Sequence, residues 1–351
     1  MNKKVNSLYI HIPFCKSICS YCDFVRMVSK TQKQEDNYVN LICKQIKKQC
    51  KNKFETIYIG GGTPNSLNLN NLNKLLSTCN KIRKTNCEFT IECNPEFVDK
   101  KQINLFKKYG VNRISLGVQS TNELINKKFN RKHSLIDVTN AIKLLRINKI
   151  ININLDFIYG YELMKLKDIK NDINFVINNK IPHVSFYSLE VNNNSILAKQ
   201  NYKNDELKIE KHFAYIIKQM KVNKFIRYEV SNWCVNKKFQ CKHNICYWNT
   251  NDWKAVGLGA YGLENRNYYH FNGNTNKLQK IIKHYNLHEY YFHVLMMGLR
   301  LINGLNLKNP LHAKAFNYFK AKIDPNLISI KNHQIKANNI NQIDEILISL
   351  I

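Results

Sequence analysis

The chain has 351 residues, 44% of them hydrophobic, and a formal net charge of +29. That length accommodates two domains or one large domain with an appendage, and the apolar fraction suffices for a buried core. No window approaches about 18 uninterrupted apolar residues, so no transmembrane helix is expected. Met1–Ser7 is polar and leads into a five-residue apolar strand, too short for a signal peptide, so none is expected.

A pI near 9.6 ordinarily suggests nucleic acid or an anionic membrane surface. Here Lys outnumbers Arg, and both Lys and Asn are scattered along the chain, the pattern that A+T-rich coding leaves. No nucleic-acid partner is therefore expected. Cys43, Cys50, Cys79, Cys87, Cys93, Cys234, Cys241 and Cys246 show no secreted disulfide framework, which suits a reducing cytoplasm.

In chain order, the first apolar strand is Leu8–Ile12, and Cys15, Cys19 and Cys22 follow it directly. Three thiolates on one tight loop can hold a [4Fe–4S] cluster while leaving one iron open, since a complete cubane takes four. Zinc is the competing reading, and it wants four tetrahedral ligands. His11 is close enough in sequence to tempt a Cys3His site. An amphipathic pattern at Tyr38, Leu41, Ile42 and Ile46 then reads as a helix.

The second strand, Thr56–Ile59, runs into Gly60-Gly61-Gly62-Thr63-Pro64, where a ligand could approach bare backbone. This is neither a dinucleotide fingerprint nor a P-loop. A helix with Leu72, Leu75, Leu76 and Cys79 precedes the third strand, Glu88–Glu92, and Asp99 is placed to cap the helix after it. The fourth strand is Arg113–Val118. Ser134 caps a helix bearing Val138, Ala141, Ile142 and Leu145, and the fifth strand spans Ile151–Phe157. A helix with Leu166, Ile169, Ile173, Val176 and Ile177 leads to the sixth strand, Val184–Leu189. One more helix, with Ile209, Phe213, Ile216 and Met220, ends near residue 223.

Six strand–helix units imply parallel strands joined by right-handed crossovers, hence an α/β sheet, open or curled into a partial (β/α)6 barrel. Chemistry in such sheets sits at the carboxyl ends of the strands, where the cysteine loop and the glycine run both fall. Residues 225–275, rich in aromatics and glycine, read as irregular or antiparallel structure. From His288 onward helical and smaller elements suggest a compact, mainly helical module.

Tyr9-Ile-His11-Ile-Pro13-Phe-Cys15, the cysteine triad, Gly60–Pro64, Asn112–Ser120 and Leu155–Gly160 occur in the order found in radical SAM (S-adenosylmethionine) proteins, which this chain resembles over residues 8–305. The resemblance is to relatives of oxygen-independent coproporphyrinogen III oxidase. Those oxidases carry a further Cys two residues after the last cluster Cys, where this chain has Phe24. His243-Asn244-Ile-Cys-Tyr247-Trp248 matches instead the signature of the haem chaperone branch, HemW.

The resemblance implies a [4Fe–4S] cluster on Cys15, Cys19 and Cys22, with Tyr9 and Tyr21 bordering the cluster and SAM. It puts SAM on Gly61, Gly62, Thr63, Glu92, Gln119, Arg131 and Asp156. Haem, with His243 as a ligand beside Tyr247, Trp248 and Trp253, is the third implied cofactor. The implied partners are haem and client haem proteins, with peripheral membrane contact and a homodimer left open. Catalytic turnover is not implied, and oxidative decarboxylation of coproporphyrinogen is the alternative.

Three divisions follow: residues 1–223 for the barrel, 224–285 for the aromatic-rich extension, and 286–351 for a winged-helix-like module akin to that of the oxidase. Two stretches depart from the family pattern. Phe129-Asn130 stands where Leu-Gly is common, and Tyr161-Glu162-Leu163-Met164 where Leu-Pro-x-Gln is usual.

Overall fold

The computed structural model describes residues 5–351, so part of the Met1–Ser7 stretch lies outside the described residues. Six parallel strands form its centre: β1 (Ser7–Ile12), β2 (Phe54–Gly61), β3 (Arg83–Cys93), β4 (Arg113–Gln119), β5 (Asn152–Tyr159) and β6 (His183–Ser188). Each hydrogen-bonds to the next in sequence. The crossovers carry α1 (Gln32–Gln49), α2 (Leu69–Asn80), α3 (Lys100–Tyr109), α4 (Leu135–Ile147) and α5 (Leu166–Asn178), and α6 (Glu206–Val222) follows β6. Asp99 caps α3 by accepting from Gln102 N, and Ser134 with Asp137 forms a reciprocal capping box at α4.

The two faces of these strands differ in chemistry. Ile57 and Ile59, Phe89 and Ile91, Ile114 and Leu116, Ile153 and Leu155 belong to the apolar core that includes the buried faces of the helices. The alternate positions carry Thr56, Glu88, Thr90, Arg113, Ser115, Asn154, His183 and Ser185, all buried. Period 2 sends these to the opposite face, so the barrel has a polar interior. Buried polar groups need partners, and most of these find one another, the Thr90 hydroxyl being an exception among the described residues. Arg113 donates to Asn152 Oδ1 (2.8 Å), Asn154 Nδ2 to Ser115 Oγ (2.7 Å), and His183 pairs with Asn154 Oδ1 (2.6 Å) and the Tyr228 hydroxyl (2.8 Å).

Both edges of the sheet are extended by later chain. On the β6 side, β7 (Asn232–Cys234) adds antiparallel, with the two-residue strand Ile226–Arg227 outside it. Beyond it, α7 (Lys242–Trp248) leads to β8 (Trp253–Val256), which pairs parallel with β1. Antiparallel β9 (Tyr261–Glu264), β10 (Asn267–Gly273) and β11 (Leu278–His284) complete that side. The outermost strands do not pair with each other, so the twelve-stranded sheet stays open.

A second core joins β8 and β9 to α8 (Leu287–Gly298), α9 (Pro310–Phe319) and the last helix, Ile343–Ile348. A three-stranded sheet of Leu305–Asn306, Gln334–Ala337 and Ile328–Lys331 accompanies these helices. No helix among the described residues is long and apolar enough to cross a membrane.

Candidate cluster and cofactor site

The cysteine loop leaves β1 and is pinned from several sides. Phe14–Cys15 pairs with Met27–Val28. Ser20 N donates to Phe129 O (3.1 Å), Ser20 Oγ to Lys128 O (3.0 Å), and Asn130 Nδ2 to Ile18 O (2.7 Å). The Tyr21 ring meets Phe129 edge-on at 5.0 Å. So fixed, Cys15, Cys19 and Cys22 line a cavity of about 420 Å³ at the carboxyl ends of the strands. Around it stand Tyr21, Gly61, Gly62, Thr63, Glu92, Gln119, Arg131 and Asp156, eight residues named from the sequence. Two others of that set are elsewhere: neither Tyr9 nor His243 lines this cavity.

The glycine run is shaped by its neighbours. A Cβ on Gly60 would stand 2.9 Å from the Glu92 carboxylate, and Gly61 has φ +116° with the His11 ring behind it. Gly61 N donates to Glu92 Oε2 (3.0 Å), Gly62 N to Ile12 O (2.8 Å) and Thr63 N to Phe14 O (2.8 Å). With these N–H groups spent, the run can offer a ligand carbonyl oxygens, which suit an ammonium group. The Thr63 side chain favours the Cys15 thiolate, against the burial that raises its pKa.

Two carboxylates stand on the inner face, Glu92 on β3 and Asp156 on β5, with β4 between them. Glu92 accepts from the Tyr58 hydroxyl (2.8 Å) as well as from Gly61 N. Burial, with Asp156 adding to it, raises its pKa to about 7 against the opposing pull of those hydrogen bonds. Asp156 accepts from Ser115 Oγ (2.8 Å) and Asn154 Nδ2 (2.7 Å), and burial raises its pKa too. Arg131 bridges the far wall, donating to Asn94 Oδ1 (3.0 Å) and Gly117 O (2.6 Å) while Nη1 points at Cys19 Sγ (3.7 Å). Gln119 follows an irregularity in the β4–β5 pairing and has φ 65°.

These residues fit a cubane better than a zinc ion. His11 has both ring nitrogens engaged, Nδ1 with the Tyr9 hydroxyl (3.0 Å) and Nε2 with Val25 O (2.7 Å). Among the described residues no three His, Cys, Asp or Glu side chains converge on one metal-sized point. A single zinc ion requires such convergence, whereas a cubane takes each thiolate on a different iron. All three thiols are free and partly accessible, with the Arg131 guanidinium beside Cys19.

His243 is found at the other end of the barrel. Glu88 caps α7 by accepting from Lys242 N and His243 N (3.1 Å each), which draws the helix under the strands. The imidazole pairs through Nδ1 with Thr56 Oγ1 (2.8 Å) and through Nε2 with the Tyr247 hydroxyl (2.6 Å). It stacks on Tyr58 at 5.2 Å. Both nitrogens are thereby engaged, and burial alone lowers its pKa to about 3, so it is neutral. Trp253 packs on Tyr247 at 4.7 Å and donates to Tyr261 O. In this arrangement the His-Asn-x-x-Tyr-Trp segment forms the floor of the barrel.

Several lining residues were not named from the sequence: Tyr58, Asn94, Ser115, Gly117 and Tyr187. Tyr58 lies two positions before Gly60, and Ser115 and Gly117 lie on the inner face of β4. The period-2 rule applied backward from the strand ends would have found them.

Comparison with known proteins agrees with this picture. Residues 9–176 match the family model of the Radical SAM superfamily. The chain is 34% identical over 269 residues to heme chaperone HemW of Lactococcus lactis, covering 75% of this chain and 70% of that one. Against heme chaperone HemW of Bacillus subtilis it is 32% identical over 271 residues, 74% and 71% of the two chains. A HemW-like protein of Buchnera aphidicola aligns over 345 residues at 30% identity, 90% and 87%. The structure of coproporphyrinogen III oxidase (HemN) from Escherichia coli, a radical SAM enzyme, superposes with a TM-score of 0.84 at 16% identity, over 99% of this chain and 90% of that one. At that identity the likeness bears on the fold.

Proposed function

Given that the chain belongs to the radical SAM superfamily, and within it to the HemW and HemN-like family, we propose that it holds a [4Fe–4S] cluster and SAM at the carboxyl ends of its strands and serves to carry haem. The observation that supports this reading best is the charge of the cavity. In a chain of net charge +29, the lining carries four acidic side chains, Asp23, Glu92, Asp156 and Glu190, against two guanidinium groups, Arg26 and Arg131, and it is most negative above pH 7, where Glu92 is ionised. Such a site favours SAM, whose sulfonium and ammonium outweigh its single carboxylate. It disfavours coproporphyrinogen, which would bring four propionates among those acids.

The residues divide the work by chemistry. Cys15, Cys19 and Cys22 would ligate the cluster, which when reduced can pass an electron to a bound sulfonium. Carbonyl oxygens of the glycine run would take the ammonium of SAM, and Arg131 its carboxylate, as guanidinium groups do. Glu92 and Asp156 would accept from ribose hydroxyls and face the sulfonium with negative charge. Phe24, 64% exposed at the rim, adds an apolar surface where the oxidases place a further Cys.

Haem transfer tests the proposal. Haem-loaded protein is mixed with the apo form of a haem protein and the Soret band is followed. A shift to the acceptor's spectrum, faster than from free haem bound to albumin, supports carriage. Haem that never leaves, or never binds, refutes it.

A further inference from the structure

A haem carrier needs a ring nitrogen that iron can reach, and the structure is restrictive about where one exists. Of the 11 histidines, seven are buried: His11, His133, His183, His212, His243, His293 and His312. Four remain. His333 stands in a tight turn with φ 61°, and among the described residues no aromatic ring packs on it. His288 packs edge-on against Tyr318 and Phe319. His284, at the end of β11, has Nδ1 tied to Asn267 Oδ1 at 2.8 Å and lies outside the ring stack that surrounds Tyr261. His270 is half-buried, and among the described residues neither of its ring nitrogens is tied by a hydrogen bond.

The surroundings of His270 suit a porphyrin. It lies in β10, directly opposite Tyr261 of β9 and Ile281 of β11. These three side chains form one row across three strands on one face of the sheet, spanning about 10 Å. Tyr261 is 47% exposed and Ile281 39% exposed. The Tyr261 ring stacks on His270 at 5.2 Å and on Tyr268 at 5.6 Å, and Tyr268 stacks on Tyr285 at 5.4 Å. Side chains stand roughly perpendicular to a sheet, so a plate laid on the row meets ring edges and the imidazole tip. Lys283, opposite Tyr268 on the same face and 63% exposed, is paired with Glu289 at 2.7 Å and would have to exchange that carboxylate for a propionate.

We propose that the exposed row Tyr261–His270–Ile281 on the extension sheet is the haem-binding face, with His270 supplying the axial imidazole. This rests on the haem-carrier reading and relocates the ligand from the barrel floor to an open surface. An open face suits handover, because an acceptor can reach the macrocycle while the carrier still holds it. Imidazole is a common axial ligand, and an apolar plate with a carboxylate edge matches an apolar row with a lysine beside it.

The test is haem titration of the full-length protein by Soret absorbance, with His270→Gly, His288→Ala and Tyr261→Ser alongside the wild type. We expect His270→Gly to lose the ligated Soret band and at least tenfold in affinity, with added imidazole restoring the band. Tyr261→Ser should weaken binding several-fold, and His288→Ala should match the wild type. All three positions are accessible, and unchanged far-ultraviolet circular dichroism checks the fold. A wild-type spectrum and affinity in His270→Gly would overturn the assignment while leaving the carrier reading intact. No haem binding by the wild type would overturn both.

Discussion

The rings of Phe129 and Tyr161 meet with centroids 5.0 Å apart, and they are the first members of the two stretches where this chain departs from its family. Phe129 is fully buried and also carries the ring of Tyr21 at 5.0 Å, while Tyr161 stacks on Tyr202 at 5.6 Å. The two departures therefore share one aromatic contact beneath the cysteine loop. Asn130 completes the exchange. It occupies the left-handed region (φ 57°) where the family's glycine would sit at ease, and its side chain holds Ile18 O.

Asn130 should thus tolerate glycine and reject alanine. Asn130→Ala is expected to cost about 1–2 kcal/mol from the left-handed backbone alone, and roughly 1 kcal/mol more from the lost hydrogen bond. Asn130→Gly should cost mainly the latter. Urea denaturation, with iron retained by the reconstituted protein as a second readout, distinguishes the two variants. Equal stabilities would contradict the argument.

SAM affinity should depend on pH through Glu92. Its pKa of about 7 lies above the ordinary carboxylate value because of burial, then Asp156. The acid is therefore largely protonated below pH 7 and charged above it. A cationic ligand prefers the charged form, so affinity should rise with pH toward a plateau above about 8, and fall by up to tenfold per unit well below 7. Glu92→Gln should flatten that profile and weaken binding about 10- to 100-fold, the worth of a charged hydrogen bond. Isothermal titration across pH reads both effects.

The same shift has a consequence for the unliganded protein. A carboxyl whose folded pKa exceeds its unfolded one binds more protons when folded, so stability is lost as pH rises from the ordinary value toward 7. Glu92→Gln should accordingly raise the thermal midpoint of the unliganded protein more at pH 8 than at pH 5. A midpoint lowered equally at both would show that the carboxylate's bonds to Tyr58 and Gly61 outweigh its burial.

His243 should behave as a structural residue. His243→Ala removes the bonds to Thr56 and Tyr247 and opens space beside Tyr58, at a cost of about 2–4 kcal/mol. The fraction that stays folded should bind haem with the wild-type spectrum. Chemical denaturation and haem titration of the same variant check the two halves of this statement.

Much of the fold was legible because its signals are local. All six central strands carry an apolar alternation on the helix-facing side, and the structure places them within a few residues of the sequence reading. The strand β8 was missed because its four residues, Trp253–Val256, are too short to show a period. β11 was missed because it is exposed on nearly every residue, which leaves no buried face to set an alternation. Glu92, Gln119 and Asp156 could be placed at the cavity from the sequence since each stands at or near a strand end.

Tyr9 was placed too high in the site. It shares the inner face with His11 but sits two residues deeper, opposite Tyr58 in register and beside His243. A single strand gives facing but not depth, which is set by register with its neighbours. For His243 the same limit applied: the motif gave its identity, and only the capping of α7 by Glu88 shows which way the helix enters.

The most direct test of the account is anaerobic incubation of the reconstituted protein with coproporphyrinogen III, SAM and reductant, followed by chromatography of the porphyrin products. The acid-lined cavity predicts no protoporphyrinogen above a protein-free control. Protoporphyrinogen formed over several turnovers would contradict it.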